Sequence, residues 1–239
     1  MTRILSIFGS MLLAASMAGC AATDPSGQND PYEHTNRSIF AFDQSVDHAV
    51  ARPVAVFYNH AVPEPARDGI HNALSNLDSP VIFANDLLQG EVTRASQTLG
   101  RAVVNTTVGL GGLIDVAGKI GIPGHEEDFG QTLGVWGLSE GPYVVLPLAG
   151  PSNARDIVGY GGDYAMDPFT YLKWNNSTLY NVVRAGVGVI DLRARNVDNL
   201  DQIERTSVDL YATTRSLYRQ HRNAEIRNGA PDTENLPAL

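Results

Sequence analysis

Cysteine is all but missing from this chain, with one in 239 residues. That excludes an intrachain disulfide framework and any cysteine-rich zinc site. Basic residues are also scarce: 17 Lys and Arg stand against 26 Asp and Glu, a formal net charge of -9. With no basic face there is no footprint for nucleic-acid phosphates, and none for docking on anionic lipid by charge alone. Heptads and regular repeats are missing. Beyond the N-terminal segment no run of 18 apolar residues occurs, so no conventional transmembrane helix is expected there. The six histidines (34, 48, 60, 71, 125 and 221) form no H-x-x-x-H pair. What remains is globular in composition, 43% hydrophobic and 18% charged. Its 23 glycines and 13 prolines promise short elements with many breaks.

The lone cysteine explains itself by position. Arg3 gives a positive start, residues 4–18 are apolar or small, and Met17-Ala18-Gly19 leads into Cys20. A basic start, a short apolar stretch and small residues at its end read as a secretory signal, too short to span a bilayer as a stable helix. The small-small-Cys ending resembles the lipobox of bacterial lipoproteins, with Met17 where Leu is commoner. In those proteins the signal, here residues 1–19, is cut before the cysteine, and Cys20 carries the lipid. The alternative is an ordinary signal with an incidental cysteine. Two or more acyl chains hold a protein to a bilayer far more firmly than one, at about 0.8 kcal/mol per buried CH₂. Ala21 follows, where Asp in lipoproteins usually means retention at the inner membrane, so the outer membrane is the expected destination. The polar stretch after the anchor, with Pro25 and Gly27, reads as a tether over residues 20–30.

The body is expected over residues 31–222, followed by a disordered tail over 223–239. Apolar residues at helical spacing (Ile39, Phe40, Phe42, Val46, Val50) predict a first helix that ends at Arg52-Pro53. Pro63-Glu64-Pro65 opens a second and Ser79-Pro80 a third, while residues 91–104 make a fourth. A glycine-rich region over 109–151 contains one extended stretch at 143–147. Ser152 is the expected N-cap of the next helix. Helices over 176–199 and about 201–221 complete the body. The fold class is mainly α, with few or no strands.

Three motifs tempt and are declined. Gly137-Leu138-Ser139-Glu140-Gly141 matches G-x-S-x-G, with His221 downstream. A nucleophile elbow needs a strand before the serine and a helix after it, whereas Pro142 and an extended run follow here. Gly109-Leu110-Gly111-Gly112 lacks the third glycine of a dinucleotide loop, and the bland reading is a helix end and tight turn. His125-Glu126-Glu127-Asp128 offers four potential ligands side by side, which rarely converge on one metal. The expectation is a solvated acidic loop, with no metal and no cofactor. The aromatics Phe169, Tyr171, Trp174 and Tyr180, beside Lys173, suit either ordinary core or a membrane–water interface. The lipid anchor favours the interface.

Taken in order, several blocks resemble one family, the MlaA (VacJ) lipoproteins of Gram-negative outer membranes. They begin with Asp30-Pro31-Tyr32-Glu33, Asn36-Arg37 and Phe40, then Arg52-Pro53-Val54-Ala55, Val62-Pro63, Asn76-Leu77 and Leu88-Gln89-Gly90. The most specific are Asn105-Thr106 with Gly109, Gly111-Gly112 and Asp115; Asp128-Phe129-Gly130-Gln131-Thr132 with Trp136-Gly137; Gly141-Pro142-Tyr143; and Gly150-Pro151-Ser152 with Arg155-Asp156. They span about residues 30–220. Phe42-Asp43-Gln44-Ser45 departs from the family's Asn-rich stretch.

The resemblance implies a single disc-like domain of short amphipathic helices in the inner leaflet of the outer membrane, around a central amphipathic channel. It implies removal of misplaced phospholipids from the outer leaflet, hand-over to a soluble periplasmic carrier, and work beside a trimeric porin, with no enzyme activity and no nucleic-acid partner. The motif residues become structural or channel candidates. Arg155 and Asp156 are expected to be structural, with an Arg155–phosphate contact in the channel as the alternative. The bottom-up reading is compatible: short amphipathic helices without a spanning segment suit a body in one leaflet. A non-transporting scaffold lipoprotein and a lipid hydrolase using Ser139 stay open as alternatives.

Overall fold

A computed structural model of the chain describes residues 29–172 and 175–230. The signal and anchor expected at the N-terminus, Cys20 included, lie outside the described residues, as do Trp174 and residues 231–239. The chain is mainly helical. In order come α1 (Glu33–Val46), a π-helical turn (Asp47–Ala51), α2 (Arg52–Ala61), α3 (Glu64–Gln89), α4 (Val92–Thr107), α5 (Val116–Lys119) and α6 (Phe129–Val135). A hairpin of β1 (Tyr143–Leu146) and β2 (Gly150–Asn153) follows, then α7 (Ala154–Met166), a 3₁₀ turn (Pro168–Thr170), α8 (Ser177–Arg195), α9 (Val197–Thr206) and α10 (Leu210–Ile226). The strands run antiparallel, with Tyr143 opposite Asn153. Helix α3 is the hub, packing against α4, α6, α7 and α8.

Several boundaries correct the sequence reading. Pro53 does not end the first helical run. The π turn lets the chain pass directly into α2, with Pro53 in its first turn, where a missing N–H is tolerated. Ser79-Pro80 does not open a helix either, since Pro80 sits inside the 26-residue α3. An interior proline costs about 3 kcal/mol, and neighbours along the length of α3 supply the packing that offsets it. The N-cap of α7 is Asn153, whose side chain accepts from Asp156 N–H, while Ser152 belongs to β2. The two last expected helices are three. Asn196 separates α8 from α9, and Ser207 turns extended before Asp209 caps α10 through Ala212 N–H. The tail begins later than expected: α10 runs to Ile226, and a turn through Asn228 and Gly229 closes on it.

The amphipathicity is turned inside out. Among the described residues the buried apolar set is small: Ala55, Ala95, Ala117, Tyr143, Val145, Ala194 and Tyr211. The buried polar and charged set is more than twice as long, and Asn85, Asp86, Thr132 and Ser152 are fully buried. Along α3 the residues Leu87 and Leu88 are 50% and 42% exposed, while Asn85 and Asp86 point inward. Along α4, Leu99 and Val103 face outward and Thr98 and Asn105 inward.

Candidate functional site

The inward polar faces enclose a cavity of about 680 Å³, bounded by α3, α4, α6, α7, α8 and the loop before α6. A second cavity of about 460 Å³ adjoins it, lined by Leu74, Ala185 and Gly188 among others. Asp78, Tyr164, Asp167 and Arg184 belong to both. Arg184 of α8 spans this boundary. It donates to Asp167 Oδ2 at 2.8 Å and to Asp78 Oδ1 at 2.5 Å, and its guanidinium lies 5.1 Å from the Phe169 ring.

A connected polar network backs the wall of the larger cavity, tying its lining residues Thr98, His125, Glu127 and Asp163 to buried groups behind them. Asp86, with no exposure, accepts from Thr98 Oγ1 at 2.7 Å and sits 2.9 Å from His125 Nε2. Glu127 is held by Arg94 and by Gln89 Nε2 at 2.7 Å, yet burial still pushes its carboxyl up. The expectation of a solvated acidic loop at residues 125–128 is therefore wrong for His125 and Glu127, which are wall residues tied to α3 and α4. Only Glu126 of the four is exposed. Thr132 Oγ1 donates to Asn85 Oδ1 at 2.8 Å. Asp163 of α7 accepts from Phe129 N–H at 2.9 Å and from Asn85 Nδ2 at 3.1 Å. Burial pushes Asp163 up to about 6. Among the described residues no cluster of potential metal ligands occurs.

The remaining motif residues build the frame. Asn36 stitches α1 to β1, donating to Asp30 Oδ1 (2.8 Å) and Tyr143 O (3.1 Å) and accepting from Val145 N–H (3.0 Å). Buried Asp30, which precedes Pro31, also accepts from Tyr211 Oη and Arg215 Nη1, both at 2.5 Å. Arg37 grips Asp209 through both oxygens and Glu33 through one. Asn105 and Asp115 fasten α4 to α5 at 2.9 Å. Asp128 caps α6 through Gln131 N–H and takes both ends of the Arg222 fork. Asp156 accepts from four residues: Arg222 Nε, Tyr218 Oη, Asn153 Nδ2 and Arg155 Nε. Burial opposes the charge of Asp128 and Asp156, but Arg222 overrides it and both carboxyls fall below their ordinary range. Arg155 is buried against Asp156 and takes no part in the cavity wall.

The glycines are backbone devices. Gly111 and Gly112 have φ of +71° and +96°, and a Cβ on Gly109 would lie 2.2 Å from Ile114 O. Gly130 meets Gly159 where α6 crosses α7: a Cβ on Gly159 would lie 2.6 Å from Gly130 N. Gly141 turns at φ +67° into Pro142 and the hairpin. Ser139 is exposed in a loop that follows α6 rather than a strand, so the elbow geometry is absent. Of the aromatics, Phe169 and Tyr180 pair with each other at 5.9 Å and only Tyr171 of the described three is exposed, at 64%.

Asp163 and Arg184 of the cavity lining, and Asn85, Asp86 and Gln89 in the network behind it, were missed. On α3 the signal was present but unread, since buried Asn85 and Asp86 lie opposite exposed Leu87 and Leu88.

Fold and site together define a mainly helical, single-domain protein with polar groups around an internal cavity and apolar side chains facing out. The family model "MlaA lipoprotein" matches residues 28–225, and the chain belongs to that family. It is 37% identical over 219 residues to the intermembrane phospholipid transport system lipoprotein MlaA of Escherichia coli, covering 89% of this chain and 85% of that protein. It is 34% identical over 243 residues to the protein so named in Haemophilus influenzae, covering 97% and 95%. A solved chain described under the structural basis for maintenance of bacterial outer membrane lipid asymmetry superposes with a TM-score of 0.74 at 36% identity, over 82% of this chain and 98% of that one.

Proposed function

We propose that this protein is an outer-membrane lipoprotein, anchored by a lipid on Cys20, that clears misplaced phospholipids from the outer leaflet. Lipid passes through the helix-bounded cavities to a soluble periplasmic carrier, with a trimeric porin alongside. The protein is a conduit and catalyses no reaction. The observation that carries this reading is the inversion itself. Leu99, Val103, Leu110, Val182 and Leu192 are among many exposed large apolar residues, far more than a soluble monomer scatters singly, while the polar faces converge on a cavity. A phospholipid needs both surfaces, since a headgroup drawn through hydrocarbon without partners costs several kcal/mol. The adjoining cavities offer a polar wall and a more apolar one. No described helix is long and apolar enough to cross a membrane, and exposed Tyr171 next to the Phe169–Tyr180 pair suits a rim where lipid meets water.

The test is occlusion. Ser75 and Tyr164 lie in the wall of the larger cavity on α3 and α7. A Ser75→Cys/Tyr164→Cys variant, bridged by a cleavable dithiol-reactive reagent, should let phospholipid accumulate in the outer leaflet, and cleavage should reverse it. Unchanged outer-leaflet phospholipid after efficient bridging would refute passage through this cavity and leave the scaffold reading.

A further inference from the structure

We infer that the N-terminal half of α8 is a gate between the two cavities, hinged at Gly186 and Gly188 and latched by Arg184, that opens to let a phospholipid pass. The inference rests on the conduit reading and adds its moving part. The two halves of α8 are held differently. The C-terminal half is rooted in α2, α3 and the π turn. Asp191, its side chain 3% exposed, meets His71 Nδ1 at 2.9 Å and accepts from Arg195 Nε at 3.0 Å. Asn59 Nδ2 donates to Ala194 O at 2.8 Å, Arg193 grips Asp47 through both oxygens, and Arg195 Nη2 donates to Arg67 O at 3.1 Å.

In the N-terminal half, Arg184 is the only charged residue between Ser177 and Ile190. It bridges Asp78 of α3 and Asp167, and the Asp78 side chain is 54% exposed. An ion pair with so open a partner is weak, because water competes for the charges. The latch can therefore break and re-form while the root stays folded. Leu179, Val182 and Val183 of the same half are exposed. Around Leu74, Ala185 and Gly188 it is the smaller cavity, not packed side chains, that lies between this half and α3. Gly186 and Gly188 stand between latch and root. Glycine inside a helix is unfavourable relative to alanine, and at Gly159 close packing explains it, since a Cβ there would lie 2.6 Å from Gly130 N. A Cβ on Gly186 or Gly188 would meet nothing within 4 Å, and neither residue has a positive φ. Neither crowding nor a turn requires glycine at these two positions. What they give α8 is backbone freedom where its root ends. Arg184 lines both cavities, so swinging the half that carries it joins them.

The test uses the full lipidated chain in phosphatidylethanolamine nanodiscs, with spin labels on Ser75→Cys and Asn181→Cys and distances read by pulsed electron paramagnetic resonance. Ser75→Cys with Leu192→Cys, on the rooted half, is the fixed reference. The first pair should show two distances and the reference pair one. Arg184→Gln should move weight to the longer distance. Gly186→Ala/Gly188→Ala should leave only the shorter distance and raise the urea midpoint. In cells the same glycine variant should slow clearance of outer-leaflet phospholipid about fivefold, the ratio that one glycine-to-alanine helix preference supports. Glycines with a merely structural role would leave clearance unchanged. If Arg184→Gln does not melt cooperatively, the glycine variant alone decides. A single first-pair distance that neither variant moves, or unchanged clearance in the glycine variant, overturns the gate and leaves the conduit standing. Unchanged clearance on bridging Ser75→Cys to Tyr164→Cys overturns both.

Discussion

Two regions of this molecule bury charge in opposite ways. In the clamp where α10 meets the hairpin and α1, buried charges are matched within the protein. Asp30 has Tyr211 and Arg215, and Asp156 has Arg222 and Tyr218. Tyr143, Val145 and Tyr211 pack beside them, the Phe40 and Tyr211 rings edge to face at 5.6 Å. In the cavity wall, Asp163 accepts only from the neutral donors Phe129 N–H and Asn85 Nδ2, and makes no salt bridge with any described residue. The clamp matches its buried carboxylates with arginines, and the wall leaves one carboxylate to neutral donors.

The sharpest break of this contrast is in the clamp. Asp156→Ala removes four hydrogen bonds and leaves Arg222 and Arg155 buried without that carboxylate. We expect a loss of about 3–5 kcal/mol, read as a drop in urea midpoint, and a change under 1 kcal/mol would mean that the clamp does not hold the fold. The loop behind the wall comes next. Gly112→Ala puts a Cβ 2.6 Å from Asn76 Cβ at a φ of +96°, and should cost about 2–3 kcal/mol by the same measurement.

The wall itself should respond with the opposite sign. The native Asp163 carboxyl titrates near 6, against 3.8 for an ordinary Asp. The folded state therefore binds that proton more tightly, and stability falls as pH rises from about 4 to 6. Asp163→Asn removes this loss, so the variant should gain about 1–2 kcal/mol above pH 6 and little below pH 4. Urea midpoints at five pH values would check it, and a gain independent of pH would refute the assignment. The smallest effect lies outside both regions: Ser139→Ala, in an exposed loop, should change stability by less than about 0.5 kcal/mol and leave outer-leaflet phospholipid clearance intact. Loss of clearance would restore the hydrolase reading.

Much of the frame was legible in advance. The ordered motif blocks mark the residues that tie elements together: Asn36 between α1 and β1, Asn105 and Asp115 between α4 and α5, Asp128 and Asp156 on Arg222. Polar side chains at fixed spacing from a turn or helix start make local caps, and caps are written in short stretches of sequence. Helix limits were less legible. Pro53 and Pro80 read as breaks because a proline's cost is local, whereas the packing that offsets it on α3 comes from helices far along the chain.

The sequence by itself determined the helical class, the turns that need glycine at Gly111, Gly112 and Gly141, and the two-sided character of each helix, because these follow from backbone sterics and residue periodicity. It did not determine which side faces in. Periodicity fixes the two faces of a helix but not their direction, and here only the tertiary structure turned Asn85 and Asp86 towards the centre and Leu87 and Leu88 outward. The cavity is likewise a product of assembly. Asp78, Asp163 and Arg184 come from three separate helices, and no spacing along the chain records that they meet.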